Sequence, residues 1–210
     1  MHIEFLVEEA SAEAALANLL PRMLGPGHTF GIHAHQGKSD LLARLPGKLR
    51  GYRSWLPSDW RIVVLIDEDR EDCARLKGRL EQAAREAGLT TKSAPGSDGR
   101  FCVLNRLAVE ELEAWFLGDV AALVATFPRL PSTLDHMARF RDPDAVPGGT
   151  WEALERVLQK AGYYPGGLPR VEFARRVSRY MDPQRNRSRS FRVFRQGLSE
   201  VLSCEAQVRE

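Results

Sequence analysis

Cysteine is scarce in this chain: Cys73, Cys102 and Cys204 are odd in number, far apart and outside any CxxC spacing. A disulfide framework and a zinc site are thereby excluded, and the three read as reduced, mostly buried thiols. Long apolar runs are absent too, none nearing the roughly 20 residues that span a bilayer. The opening "MHIEFLVEE" has no basic leader and no extended apolar core, so a cytoplasmic protein with no membrane contact is expected. Net charge is small, 30 Lys and Arg against 28 Asp and Glu, and its total does not point to a nucleic-acid partner. Repeats and low-complexity tracts are missing, and "GKS" at 37–39 lacks the upstream glycine of a phosphate loop.

What remains is a globular composition, 43% hydrophobic and 28% charged over 210 residues, enough for a substantial core. "IEFLV" (3–7) reads as a strand, followed by a helix with Ser11 as N-cap. "HTFGIHAH" (28–35) reads as a second strand, whose His33 and His35 share a face without a third ligand at useful spacing. The amphipathic stretch that follows should break or bend at Pro46. "RIVVLI" (61–66) is continuously apolar and β-branched, as a strand buried on both faces should be, and runs into a helix ending at Gly88. "RFCVLN" (100–105) is a further strand, and the helical text after it breaks at Gly118 and Asp119. From Pro128 prolines and paired glycines mark a long connection, and three helices follow, the first beginning near Thr150. Strand alternating with helix predicts an α/β fold with a mainly parallel, Rossmann-like sheet. The expected division is 1–127 for the sheet domain and 128–210 for a connection and helical extension packed on it.

Ligands bind outside the carboxyl ends of parallel strands, and there the chain places Glu8, Glu9, Asp67, Glu68 and Asp69. Asp67 and Asp69, two apart on extended backbone, point to the same side, and hard oxygen donors of this kind select Mg²⁺ or Mn²⁺. The competing reading is helix capping, with Asp69 and Asp72 complementing the dipole of the next helix. Two clusters on neighbouring strand ends favour the metal. Glu110, Glu111 and Glu113 form a third acidic group, with Glu111 taken as a further metal ligand. Trp115 and Phe116 read as core. Between 169 and 195 nine arginines face only Glu172 and Asp182; of these Arg176, Arg187, Arg189 and Arg192, with Lys38 from the second turn, are the candidate nucleic-acid contacts.

"FLVEEASAEAAL" followed by "VVLIDEDREDCARL" resembles the Toprim (topoisomerase/primase) pattern, a glutamate after the first strand and a DxD after a later one. "NRLAVEELEAWFLGD" and "NRSRSF" resemble more closely the DUF4276 family, Toprim-like proteins related to RloG-type and OLD-type nucleases. The resemblance assigns Glu8 to the glutamate and Asp67 and Asp69 to the DxD pair, all three catalytic. Glu8, Glu9, Asp67, Asp69 and Glu111 would be the metal ligands. It departs from the pattern at Glu9, where a glycine is usual, and at Ala12, where a second acid often stands. It implies a Toprim-like fold and Mg²⁺- or Mn²⁺-dependent hydrolysis of DNA or RNA phosphodiesters, with water as nucleophile. The implied setting is a phage-defence system with a separate AAA/ABC-type ATPase, in which a homodimer is reasonable. The alternative is a non-catalytic regulatory or adaptor subunit of an ATPase complex.

Overall fold

The computed structural model describes residues 1–206, with side chains described as far as Ser203. Four strands, β1 (His2–Val7), β2 (Thr29–Ala34), β3 (Trp60–Asp67) and β4 (Val103–Ala108), form one wholly parallel sheet in the order β2-β1-β3-β4. Between them run α1 (Ala10–Leu24), α2 (Lys38–Trp55) and α3 (Cys73–Glu86). After β4 come α4 (Glu113–Leu117), α5 (Val120–Thr126), α6 (Thr150–Lys160), α7 (Arg170–Ser178) and α8 (Arg189–Ala206). The protein is an α/β fold with a parallel sheet flanked by helices, as the alternating text implies. Among the described residues no helix is long and apolar enough to cross a membrane.

The period of two along the strands divides the core into two layers. Ile3, Phe5 and Val7 of β1, with Val63, Leu65 and Leu104, pack on the face covered by α1, and this apolar cluster continues through α4, α5, α6, α7 and α8. Leu6, Ile62, Val64, Ile66 and Val103 pack on the face covered by α2 and α3. The helices after residue 128 thus share one core with the sheet. The polar groups of β1 that turn toward α2 are paired: buried Glu4 meets His2 on one oxygen and His33 on the other, which gives His33 a structural partner. His35 is buried and bonds the Val7 carbonyl at 2.9 Å.

Four expectations change. Pro46 lies inside an unbroken α2; Leu41, Leu45, Leu49 and Tyr52 are buried along one side of the helix, and that packing outweighs the ~3 kcal/mol a proline costs in a helix interior. The N-cap of α1 is Glu9, and Ser11 sits within the helix with its hydroxyl donating to the Glu9 carboxylate. β4 lies three residues beyond the expected strand, because its polar side chains find acceptors on the packed helices: Asn105 Nδ2 donates to Glu81 of α3 at 3.0 Å and Arg106 to the Val193 carbonyl of α8 at 3.2 Å, while Asn105 Oδ1 stays without a partner among the described residues. Of the thiols, Cys73 is exposed and Cys102 half-buried, so burial fails for the first; the Cys204 side chain lies outside the described residues.

Candidate active site at the strand ends

Because β1 and β3 are neighbours, Glu8 and Asp67 emerge side by side, and the Asp67 N–H donates to Glu8 Oε2 at 3.0 Å. The turn after β3 is laced to the turn after β4: Glu68 N–H donates to the Ala108 carbonyl at 2.9 Å, Asp69 N–H to the Glu110 carbonyl at 2.8 Å, and Glu110 N–H to Glu68 Oε2 at 3.0 Å. Asp69, Arg70 and Glu110 hold φ of 51°, 62° and 61°, a left-handed conformation that costs a residue with a side chain about 1–2 kcal/mol. Lys38, at the start of α2, donates to the Glu68 carbonyl at 2.9 Å and pairs with Asp69 at 2.9 Å. The cap of α3 is Asp72, which accepts from the Arg75 N–H at 2.6 Å, so capping does not account for Asp67 or Asp69.

Asp67 and Glu113 are both buried. Burial pushes the Asp67 carboxyl well above its ordinary range, and the charges of Glu113, Glu8 and Asp69 push it further, against one stabilising N–H from Leu112. Burial raises Glu113 to about 8, with Glu111 and Glu9 adding repulsion and Arg170 opposing it. Glu8 is raised by burial and by Asp69, and Glu111 by burial. Glu113 Oε2 is buried with no hydrogen-bond partner, an arrangement that costs ~1–3 kcal/mol or more for a charged group. This collection of mutually repelling oxygen donors fits a hard divalent cation. Among the described residues no three acidic, histidine or cysteine side chains already converge in ligating geometry, so binding would need side-chain rotation.

Of the residues singled out by sequence, Glu8, Glu9, Asp67, Asp69, Glu111 and Lys38 come to this end of the sheet. Arg176, Arg187, Arg189 and Arg192 do not join them. Arg176 bonds the Tyr164 hydroxyl at 2.7 Å and lies over the Phe127 ring. Arg187 stands 3.9 Å from Asp135 and donates to the Phe140 carbonyl. Arg189 and Arg192 project, exposed, from α8. Glu113, named by sequence only as part of the third acidic group, proves the most deeply buried acid of the site, and two members lie outside the sequence-based set: Arg170, whose guanidinium is 3.8 Å from Glu9, and Trp151, whose backbone N–H donates to Glu111 Oε2 at 2.9 Å. The signal for Glu113 was present, since a glutamate embedded in "LEAWFL" interrupts an apolar run, and a polar residue in a buried segment is the informative exception. The shift of β4 also moves Glu110, Glu111 and Leu112 out of a helix and into the strand-end turn.

A second polar network holds the segment that carries Glu113. Asp119 accepts from Ala122 N, Asp182 N and both Nε and Nη2 of Arg185, at 3.1, 2.8, 2.9 and 2.9 Å. Asn186 donates to the Trp115 carbonyl at 2.7 Å, Trp115 Nε1 to Ser190 Oγ at 3.0 Å, and Arg187 N to the Gly118 carbonyl at 2.8 Å. "ELEAWFLGD" and "NRSRSF" are therefore two halves of one lock. Asp144 from the proline-rich connection closes it, bonding the hydroxyls of Ser188 and Ser190 and the Arg189 N–H at the start of α8.

The family described as a domain of unknown function, DUF4276, matches the chain over residues 7–199. A solved structure titled as the C-terminal region of the OLD protein of Xanthomonas campestris pv. campestris is similar over 98% of this chain and 97% of that one, at 14% identity and a TM-score of 0.48. No curated protein matches the chain.

Proposed function

The chain belongs to the DUF4276 family, and we propose that it is a Toprim-like nuclease that hydrolyses DNA or RNA phosphodiesters with Mg²⁺ or Mn²⁺ held at the strand-end carboxylates. The observation that carries this reading is the buried, unpartnered oxygen of Glu113 in the same electrostatic cluster as Asp67, Glu8 and Asp69. Burial and neighbouring negative charge raise Glu8, Asp67 and Glu113, and a carboxylate cluster perturbed in this way suits an external cation as its neutralising partner. Agreement of Glu8 and of Asp67 and Asp69 with the Toprim glutamate and DxD supports the same reading.

Glu8, Asp67 and Asp69 would hold the cation, with Glu113 and Glu111 as additional oxygen donors. When bound, a divalent cation neutralises these carboxylates and charge developing on a phosphoryl oxygen. Hydrolysis breaks one P–O bond and forms one to water; a carboxylate takes one water proton and the leaving oxygen gains one. Glu8, which stands beside Asp67 at the end of β1, takes the base role that the resemblance implies. A separate ATPase partner and a role in phage defence follow from the resemblance alone.

The test is a Mg²⁺ and Mn²⁺ titration of the purified protein with single- and double-stranded DNA and RNA, comparing wild type with the Asp67→Ala, Asp69→Ala double variant. Metal-dependent cleavage lost in the variant supports the nuclease. Absence of both cleavage and metal binding in the wild type sinks it. Binding without cleavage would favour the adaptor alternative.

A further inference from the structure

Resting on that hydrolytic reading, we propose that Arg170 binds the scissile phosphodiester, held ready for it by the indole of Trp151. A phosphodiester carries a negative charge into a site already lined by Glu8, Glu9, Asp67, Asp69 and Glu111, so cations with unspent donors must meet it. Lys38 is engaged by Asp69 and the Glu68 carbonyl. Arg170 is not so engaged. Its guanidinium carbon lies 4.4 Å from the centre of the Trp151 ring, and the nearest carboxylate oxygen, on Glu9, is 3.8 Å away, beyond hydrogen-bonding distance. No side-chain hydrogen bond of Arg170 is formed among the described residues. A guanidinium stacked on an aromatic face keeps its N–H edge for a planar, two-point contact with phosphoryl oxygens.

Two further observations agree. Arg170 is the first residue of α7, with Pro169 at the N-cap, where the helix dipole disfavours a cation by roughly 0.3–1 kcal/mol; helix stability does not explain an arginine there. Its neighbours in the arginine-rich segment are employed elsewhere: Arg185 grips Asp119, Arg176 the Tyr164 hydroxyl, and Arg195 the Pro183 carbonyl. Arg170 alone of the nine reaches the carboxylates, and it is the leading favourable charge on Glu113. The backbone at Trp151 is in turn tied to the site, its main-chain N–H donating to Glu111 Oε2. The helical extension thereby contributes the anion-binding wall of a site whose cation-binding wall comes from the sheet.

The test uses the full chain with Mn²⁺ and three probes: bis(p-nitrophenyl) phosphate, a labelled oligodeoxynucleotide with its RNA counterpart, and a phosphorothioate oligonucleotide that resists cleavage. Arg170→Ala should lower kcat/KM on the first two about 100-fold and weaken phosphorothioate binding, while Mn²⁺ affinity and the unfolding midpoint stay near wild type. Arg170→Lys should recover only a small part, since an ammonium cannot make the two-point contact, and Trp151→Leu should fall between. Arg179→Ala, exposed at the far end of α7, serves as the charge control and should behave as wild type. Equal cleavage and binding by wild type and Arg170→Ala would overturn the proposal, as would loss of Mn²⁺ affinity or of folding in parallel with activity. Should the wild type cleave nothing yet bind phosphorothioate through Arg170, hydrolysis falls and the anion-binding assignment stands.

Discussion

Glu113 and Asp119 stand six residues apart, each with 1% of its surface exposed, and they live in opposite surroundings. Asp119 accepts four hydrogen bonds, two of them from a guanidinium. Glu113 keeps one oxygen without any partner and is repelled by Glu111 and Glu9. Both carboxylates are costly to bury. One is compensated inside the chain and therefore holds structure; the other has no such compensation for its Oε2, which is the ground on which a cation from outside the chain is proposed. The two networks are coupled because Asn186, Ser190 and Arg187 fix the Trp115–Gly118 stretch directly after Glu113.

The contrast is sharpest in its pH dependence. Glu113 has a folded pKa of about 8 against an ordinary 4.5, so the folded state binds a proton that the unfolded state releases. The associated stability is complete below about 4.5 and is lost as pH rises to about 8, at a slope approaching ~1.4 kcal/mol per pH unit. Urea denaturation of metal-free protein across that range should show the decline, with Asp67, raised for the same reasons, adding to it. Glu113→Gln should flatten the profile, and Mn²⁺ should stabilise the wild type more at pH 8 than at pH 5. A profile unchanged by Glu113→Gln would mean that its neighbours already compensate this carboxylate.

Asp119→Ala tests the other side. It removes a helix cap and the partner of Arg185, and it should cost about 2–4 kcal/mol. Arg185 is itself half exposed, so water offsets part of the loss and the larger figure is a ceiling. A cost under 1 kcal/mol, measured by denaturation, would show that the lock is ornamental to the fold.

Legibility followed the same division. Strand-end acids on β1 and β3 were readable because an apolar, β-branched run stops abruptly at Asp67 and the first strand stops at Glu8. The parallel sheet followed from the alternation. The end of β4 was not readable, since Asn105 and Arg106 look like a strand terminus and donate to α3 and α8, elements distant in sequence. That error hid the strand-end position of Glu110 and Glu111. The arginine-rich segment misled in a different way: charge density says nothing about partners, and Asp119, Tyr164 and backbone carbonyls take up much of it.

Smaller changes probe how tightly the two regions are joined. Gly118 has an ordinary helical φ of −64°, so its reason is space: a Cβ there would overlap Asn186 Oδ1 and lie 2.8 Å from the Ser188 nitrogen. Gly118→Ala should cost about 1–3 kcal/mol by overpacking and should lower metal affinity only if displacement reaches Glu113. Calorimetric Mn²⁺ binding separates these two effects.

The smallest effect concerns strain. Arg70 sits at φ 62° on the turn between Asp69 and the helix cap, with its side chain exposed, so nothing but the turn requires this conformation. Arg70→Gly removes the steric penalty and adds chain entropy to the unfolded state, terms that oppose each other and leave about 0.5–1 kcal/mol of stabilisation. A gain of that size, with the Asp69 carboxylate still in its Lys38 pair, means the turn is strained by its neighbours to hold Asp69 in place. A loss instead would locate the turn's conformation in the Arg70 side chain and its attraction to Glu110. In that case the β3 and β4 turns are joined by charge as well as by the Asp69–Glu110 backbone bond, and raising salt should loosen them together.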